Sequence, residues 1–229
     1  MDVDDVKIFP LGTGALTVEF GREISVELNR KAISLAKYFD TLPFKGYIES
    51  VPAYASTSIF FDVPTVRRTF ESHVTAFDAV ANIINTAIPQ LNAADDGDGR
   101  LIEITVSFSG EHAPDLQHVA EYASLGAADV IEIFTAATYR VFMIGFLPGF
   151  AYMGEVDESI AAPRKESPRT KVPAGSVGIA GRQTGIYPFE SPGGWQIIGR
   201  TDVKLFDPPG TKPCFLRSGD MVRFVNADE

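Results

Sequence analysis

The chain has 229 residues, which is enough for one large domain or two small ones. Hydrophobic residues make up 45% and charged residues 22%, so the composition predicts a packed core and excludes a disordered chain. Twenty Lys and Arg stand against 30 Asp and Glu, and the net charge of −10 argues against binding to nucleic acid phosphates or an anionic membrane.

Cysteine content and targeting signals point to an ordinary intracellular protein. One cysteine, Cys214, excludes an internal disulfide framework and a cysteine-rich zinc site. The acidic residues at 1–5 lack the basic start and apolar core of a signal peptide. Because no run of about 18 apolar residues is present, no membrane span is predicted. We therefore expect a soluble, cytoplasmic protein.

The first half of the chain alternates strand and helix patterns. Leu16, Val18 and Phe20 alternate with polar residues, as in a half-buried strand. Further apolar spacing predicts helices over 28–39 and 70–88 and strands over 47–54, 58–61 and 101–108. This β-α-β-β-α-β order predicts a ferredoxin-like, split βαβ domain. The last strand has an alternative place in the second domain, because a polar linker over 92–99 precedes it.

The second half has the residue composition and strand pattern typical of a β-barrel or sandwich. Residues 143–194 hold nine of the 20 glycines and six of the 15 prolines, which indicates turns rather than helices. Helices are predicted near 113 and over 127–137, followed by short strands over 141–146, 176–180, 185–187, 196–200, 203–206 and 221–225. We therefore predict two domains, 1–94 and 100–229.

The sequence lacks the common catalytic motifs. No Walker A, G-x-G-x-x-G, G-x-S-x-G or H-E-x-x-H pattern is present. The histidines His73, His112 and His118 are too poorly spaced for a shared metal, so no metal site is predicted.

A glycine-rich cluster with basic and aromatic side chains carries the candidate site. Arginines beside exposed backbone N–H groups suit a carboxylate or phosphate, and neutral hydrogen-bonding groups beside aromatic rings suit a small amide or acid. The alternative is structural, with glycines and prolines at barrel corners and arginines that brace loops. The candidate residues are Phe150, Arg164, Arg169, Gln183, Tyr187, Ser191, Gly193, Gly194, Trp195 and Arg200.

The stretch from Gly145 to Phe206 resembles the KipI/PxpB family, which is also labelled allophanate hydrolase subunit 1. The matching segments are GF-x-PGF from Gly145, PR from Pro163, PR-x-x-VPAGSV from Pro168, QTGIYP from Gln183, SPGGW from Ser191 and IGRT from Ile198. Weaker similarity covers nearly the whole chain. The resemblance implies an α+β protein with a small α/β N-terminal domain and a cyclophilin-like β-barrel C-terminal domain.

The family resemblance also implies a choice of activities. One member type is the B-type subunit of an ATP-dependent 5-oxoprolinase, which opens 5-oxoproline to glutamate. It works with a KipA/PxpC-type subunit, also labelled allophanate hydrolase subunit 2, and with a PxpA-type subunit. ATP then acts through the complex, with magnesium only as its companion ion. The alternatives are a non-catalytic regulator of a sensor histidine kinase and a carboxyltransferase half-site as in urea amidolyase.

Under the 5-oxoprolinase hypothesis, the candidate residues divide into two groups. Arg169, Gln183 and Tyr187 are expected to be catalytic. Arg169 would neutralise carboxylate or phosphoryl oxygens, and Gln183 and Tyr187 would orient the ring amide. The other candidates are expected to bind substrate, namely Phe150, Arg164, Ser191, Gly193, Gly194, Trp195 and Arg200. Phe134 stands where many family members have histidine, and it is either a lost functional group or a packing residue.

Overall fold

A computed structural model describes residues 6–91 and 99–228 of the chain. The chain divides into two units, Met1–Gly97 and Asp98–Glu229. Most of the predicted linker, at 92–98, lies outside the described residues. In the described ranges, no helix is both long and apolar enough to cross a membrane.

The N-terminal unit is a four-stranded antiparallel sheet whose apolar side chains share one core with the helices. The strand order is β1-β2-β4-β3. Its elements are β1 (Lys7–Pro10), β2 (Ala15–Glu19), α1 (Val26–Thr41), β3 (Tyr47–Pro52), β4 (Ser56–Phe61), α2 (Val63–Thr69) and α3 (Ala76–Ala87).

The split βαβ unit is present, and of the two places left open for the strand over 101–108 the structure shows the one in the second unit. Strands β2 and β3 are joined through α1, and β4 lies between them. The place beside β2 is taken by β1 rather than by the strand after residue 100. A short turn containing Gly12, at φ +67°, joins β1 to β2. A hairpin closes a much shorter loop than a strand returning after α3, and its entropic cost is smaller.

The helix predicted over 70–88 begins only at residue 76, as α3, and the separate helix α2 ends at residue 69. Asp62 caps α2 by accepting a hydrogen bond from the Thr65 N–H, and Phe70 is the residue at which α2 is capped and stops. Thr75 and Asp78 then form a reciprocal capping box that starts α3. The end of α2 and the strong N-terminal signal at Thr75 therefore leave residues 70–75 outside both helices.

The C-terminal unit is built on a seven-stranded sheet of order β12-β9-β10-β7-β6-β13-β5. Strand β5 runs parallel to β13, and every other neighbouring pair in this sheet is antiparallel. Its elements are β5 (Leu101–Val106), α4 (Leu116–Ala123), α5 (Ala127–Ala136), β6 (Thr138–Ile144), β7 (Ala151–Gly154), β8 (Arg169–Val172), β9 (Ser176–Ala180), β10 (Gln183–Ile186), β11 (Ser191–Gly193), β12 (Gln196–Arg200) and β13 (Met221–Asn226).

The two edges of this sheet meet and nearly close it into a barrel. Ser107, just after β5, and Arg200, at the end of β12, exchange two backbone hydrogen bonds of 2.9 Å. A separate two-stranded sheet pairs β8 with β11. The structure thus confirms the α+β class and the barrel-like second half. The strand predicted over 203–206 forms only an isolated bridge from Phe206 to Cys214, and prolines 208 and 209, which cannot donate to a ladder, follow it.

Strand alternation sorts the side chains of the barrel into an inner core and a smaller outer cluster. Ala151 and Met153 belong to the barrel core, whereas their neighbours Phe150 and Tyr152 belong to a second cluster with Trp195. Successive strand residues point to opposite faces of a sheet. The second cluster therefore lies on the outer face of the sheet.

Phe134 is a packing residue in this chain. It is fully buried in the barrel core, where its ring stacks on Phe224 with centroids 4.9 Å apart and lies 5.1 Å from Tyr139. Of the two roles left open by the sequence, the structure favours packing, because an aromatic cluster surrounds the side chain.

Candidate substrate pocket

A pocket of about 260 Å³ opens at the outer aromatic cluster. Six of the residues singled out from the sequence line it: Phe150, Arg164, Tyr187, Gly193, Gly194 and Trp195. Four more lining residues were not singled out: Phe146, Tyr152, Pro168 and Pro192.

Aromatic rings packed edge to face form the wall of the pocket. Phe150 is almost fully buried, and its ring centroid lies 5.3 Å from that of Tyr187 and 5.5 Å from that of Trp195. Gly185 on β10 makes this possible, because a Cβ there would lie 3.0 Å from the Phe150 ring and 2.8 Å from the Ala151 carbonyl oxygen. The wall is preformed, as expected of a small-molecule site.

The Tyr187 hydroxyl is held as a hydrogen-bond donor. The backbone N–H of Trp195 donates to its oxygen, and a Cβ on Gly193 would lie 2.5 Å from the same oxygen. Burial raises the pKa of Tyr187, and the Trp195 N–H and the charge of Arg164 oppose this rise only in part. The phenol is therefore protonated at neutral pH, and its O–H is available to donate a hydrogen bond to a bound ligand.

Arg164 supplies the charge of the pocket. It is the one ionised side chain among the ten lining residues, all of which lie in the described part of the chain. Its guanidinium lies over the indole of Trp195, 5.9 Å from the ring centroid, which is a cation–π arrangement. A pocket with aromatic walls, two tyrosine hydroxyls and a single cation suits a small anion with an apolar body.

Asp115 joins the segments that form the pocket. Its buried carboxylate accepts hydrogen bonds from Arg169 Nη2 at 2.6 Å, from Lys165 Nζ at 3.2 Å and from the backbone N–H of Ile197 at 2.7 Å. Burial opposes the charge of Asp115, but these hydrogen bonds and the charge of Arg169 outweigh it and lower the pKa of the carboxyl. Asp115 thereby fixes the loop carrying Arg164 and the strand that follows Trp195.

Arg169 lies behind the pocket rather than at its lining. Its side chain contacts Asp115, and its backbone pairs with Gly193 across the β8–β11 ladder. Its charge also lowers the pKa of Tyr187, against the stronger effect of burial. Arg169 is therefore placed to position the backbone of Gly193 and to lower the pKa of Tyr187, rather than to line the pocket.

The structure does not bring the remaining predicted residues to the pocket. Gln183 begins β10, whereas Tyr187 follows its last residue, so about 13 Å of strand separates them. Arg200 donates from Nε to the Ala174 carbonyl at 3.1 Å and lines a separate pocket of about 370 Å³. Ser191 starts β11, and its hydroxyl donates to the Pro192 carbonyl at 3.3 Å.

The described residues contain no group of three or more His, Cys, Asp and Glu side chains placed to hold a metal ion. The functional residues that sequence analysis missed had different signals. Phe146 was visible within the GF-x-PGF segment, and Asp115 within a Pro-Asp-Leu segment. The link from Asp115 to Arg169 spans 54 residues and has no local signal.

The comparisons with known proteins agree with this architecture. A family model described as carboxyltransferase domain, subdomain C and D, matches residues 6–216. The chain is 41% identical over 224 residues to the B-type subunit of 5-oxoprolinase from Bacillus subtilis, covering 97% of this chain and 93% of the relative. It is 35% identical to the corresponding 5-oxoprolinase subunit of Escherichia coli O157:H7, covering 97% of both chains.

A solved structure supports the fold. The urea amidolyase of K. lactis superposes with a TM-score of 0.76 at 20% identity, and the match covers 97% of this chain and 15% of that much longer one. Fold and family model together define the class of the protein as a carboxyltransferase domain, subdomain C and D. The chain belongs to this carboxyltransferase-domain family and, within it, to the branch formed by the B-type subunits of 5-oxoprolinase.

Proposed function

We propose that this chain acts as the B-type subunit of an ATP-dependent 5-oxoprolinase and that its aromatic pocket binds 5-oxoproline. The observation that carries the proposal is the 41% identity to the Bacillus subtilis subunit over 97% of the chain. Identity of this extent, with an intact pocket, supports the same reaction: ATP-coupled opening of a lactam to glutamate.

The chemistry of 5-oxoproline suits the lining of the pocket. The molecule is a five-membered lactam with one carboxylate, so it combines an apolar ring with a single negative charge. Arg164 would bind the carboxylate, and Tyr187 would donate to the lactam carbonyl oxygen. The aromatic rings of Phe150 and Trp195 would pack against the ring methylenes.

The need for ATP follows from the stability of the amide bond. Transfer of the terminal phosphoryl group of ATP to the lactam oxygen activates the carbonyl carbon for attack by water, and the C–N bond then breaks to give an acyl phosphate and the free amine. A second water hydrolyses the acyl phosphate, which releases phosphate and leaves glutamate. A hydrogen bond from Tyr187 and the nearby charges of Arg164 and Arg169 would stabilise negative charge on the oxygens. The other candidates, Gln183, Ser191 and Arg200, lie away from this centre and would act only through further contacts.

Both relatives are named as subunits, which supports the proposal that this chain acts in a complex with other chains. We infer that ATP and its magnesium ion bind through partners of the KipA/PxpC type and the PxpA type, since this chain has no nucleotide-binding motif. The chain would then supply the lactam site of a shared active centre.

Reconstitution tests the proposed function. The chain is purified together with its KipA/PxpC-type and PxpA-type partners, and 5-oxoproline-dependent ATP hydrolysis and glutamate release are measured with and without it. We expect turnover that requires this chain. A stable complete complex without turnover would contradict the proposal, and inhibition of a sensor histidine kinase by the same chain would favour the regulator instead.

A further inference from the structure

The hairpin between β6 and β7 contains an unusual turn at the mouth of the pocket. Gly145 N–H donates to the Phe150 carbonyl at 3.0 Å and closes the hairpin. Within it, Leu147 N–H donates to the Gly145 carbonyl at 2.8 Å, so Phe146 is the central residue of a three-residue turn. Phe146 has φ +66°, and a three-residue turn with positive φ is rare and strained.

Phenylalanine is a costly residue for this backbone conformation. In residues 6–91 and 99–228, only Phe146 and Ser124 have positive φ without being glycine. Ser124 has an ordinary explanation, because it ends α4 in the left-handed conformation common at helix C-termini. Glycine adopts positive φ without strain, and the same hairpin has glycine at positions 145 and 149 but phenylalanine at position 146.

Burial does not explain the strain. The Phe146 side chain is 63% exposed, although its ring packs edge-on against Phe150 with centroids 5.6 Å apart. An aromatic ring that remains so exposed gains little from the hydrophobic effect. Strained backbone at a pocket is kept where a particular side chain is needed there. Phe146 also lines the pocket that contains Arg164 and Trp195.

We propose that Phe146 is a specificity-determining residue that packs against the ring of the bound lactam. This inference rests on the proposed function, because the lactam is the ligand it invokes. The ring methylenes of 5-oxoproline are apolar. The exposed ring of Phe146 at the pocket mouth would be covered by them when substrate binds. The contact is lost for a bound anion that lacks an apolar ring.

The stability of variants of the full chain tests the strain. Thermal unfolding is compared for Phe146→Ala and Phe146→Gly, with Phe215→Ala and Phe215→Gly as the matched pair. Phe215 is also exposed, at 40%, and its φ is not positive. Glycine normally destabilises relative to alanine because it loses more backbone entropy on folding. We expect this order at position 215 and the reverse order at position 146.

Steady-state kinetics of the assembled complex test the contact with substrate. Both Phe146 variants should raise the KM for 5-oxoproline about tenfold with a much smaller change in kcat, because they remove binding common to ground and transition states. Both Phe215 variants should keep the wild-type KM. An unchanged KM in the Phe146 variants would overturn the inference, as would a raised KM that returns to the wild-type value at saturating partner concentrations.

The outcomes separate this inference from the proposed function. If the wild-type complex turns over and the Phe146 variants match it, the proposed function stands and the inference fails. If the wild-type complex has no 5-oxoprolinase activity, both fail, whatever the order of Tm values. If Phe146→Gly unfolds at a lower temperature than Phe146→Ala, the backbone at position 146 is not strained, and this result alone would overturn the inference.

Discussion

The contacts of Asp115 lead to a prediction at the scale of single residues. Asp115→Asn would leave the partly buried charges of Arg169 and Lys165 without their buried counter-ion. We expect a loss of about 3 kcal/mol in the free energy of unfolding at pH 7. Glu155→Gln is the control, since it breaks an exposed pair with Arg182 and should cost less than about 0.5 kcal/mol. Urea unfolding of both variants measures the difference.

The pH dependence of this loss has a definite sign. The pKa of Asp115 is lowered below its ordinary value of 3.8 by hydrogen bonds and charge that outweigh burial. A lowered folded-state pKa contributes stability that is present above the unfolded pKa and lost as the pH falls through the folded one. The gap between wild type and Asp115→Asn should therefore be full at pH 7 and shrink below about pH 4. A gap that stays constant down to about pH 2 would contradict the ion-pair account.

Two adjacent glycines give a prediction at the scale of a structural element. In β11, a Cβ on Gly193 would lie 2.5 Å from the Tyr187 hydroxyl oxygen, whereas the nearest atom to a Cβ on Gly194 is Pro168 Cγ at 3.6 Å. Gly193→Ala should displace Tyr187 and lower kcat/KM of the complex at least about tenfold. Gly194→Ala should have a clearly smaller effect. Equal effects of the two substitutions would show that Tyr187 does not need its present position.

The elements that the sequence predicts well have a local signal, which is either apolar periodicity or a short run between turn residues. Helix α1 and strand β4 coincide closely with their apolar spacing. Strands β9 and β12 are buried along nearly their whole length, and the turn residues around them mark their ends. The missed strands are short or contain residues that local rules assign to loops: β11 includes Pro192 and Gly193, and β1 ends at Pro10. Their pairing partners stabilise them, and such tertiary support has no local signal.

The candidate site was predictable only in part, for related reasons. Dense glycine, proline and aromatic segments locate the pocket around Trp195, because close packing of rings needs glycine opposite them. The same density could not distinguish Tyr187, which follows the last residue of β10, from Gln183, which begins that strand. Nor could it assign Arg169 to Asp115, because that ion pair depends on how α4 meets the barrel.

At the scale of the whole molecule, every pocket residue belongs to the C-terminal unit. Under the proposed function, substrate would therefore bind in the barrel unit, and ATP would bind through the partner chains. Arg164 is the residue on which this division depends, since it alone brings charge to the pocket lining among the described residues.

The most direct test of the account is the KM for 5-oxoproline of the reconstituted complex carrying Arg164→Ala. Arg182→Ala is the control, because Arg182 forms exposed ion pairs with Glu155 and Glu158 and does not line the pocket. We expect a KM raised at least about tenfold for Arg164→Ala and an unchanged KM for the control. A wild-type KM in the Arg164→Ala complex would contradict the assignment of this pocket as the 5-oxoproline site.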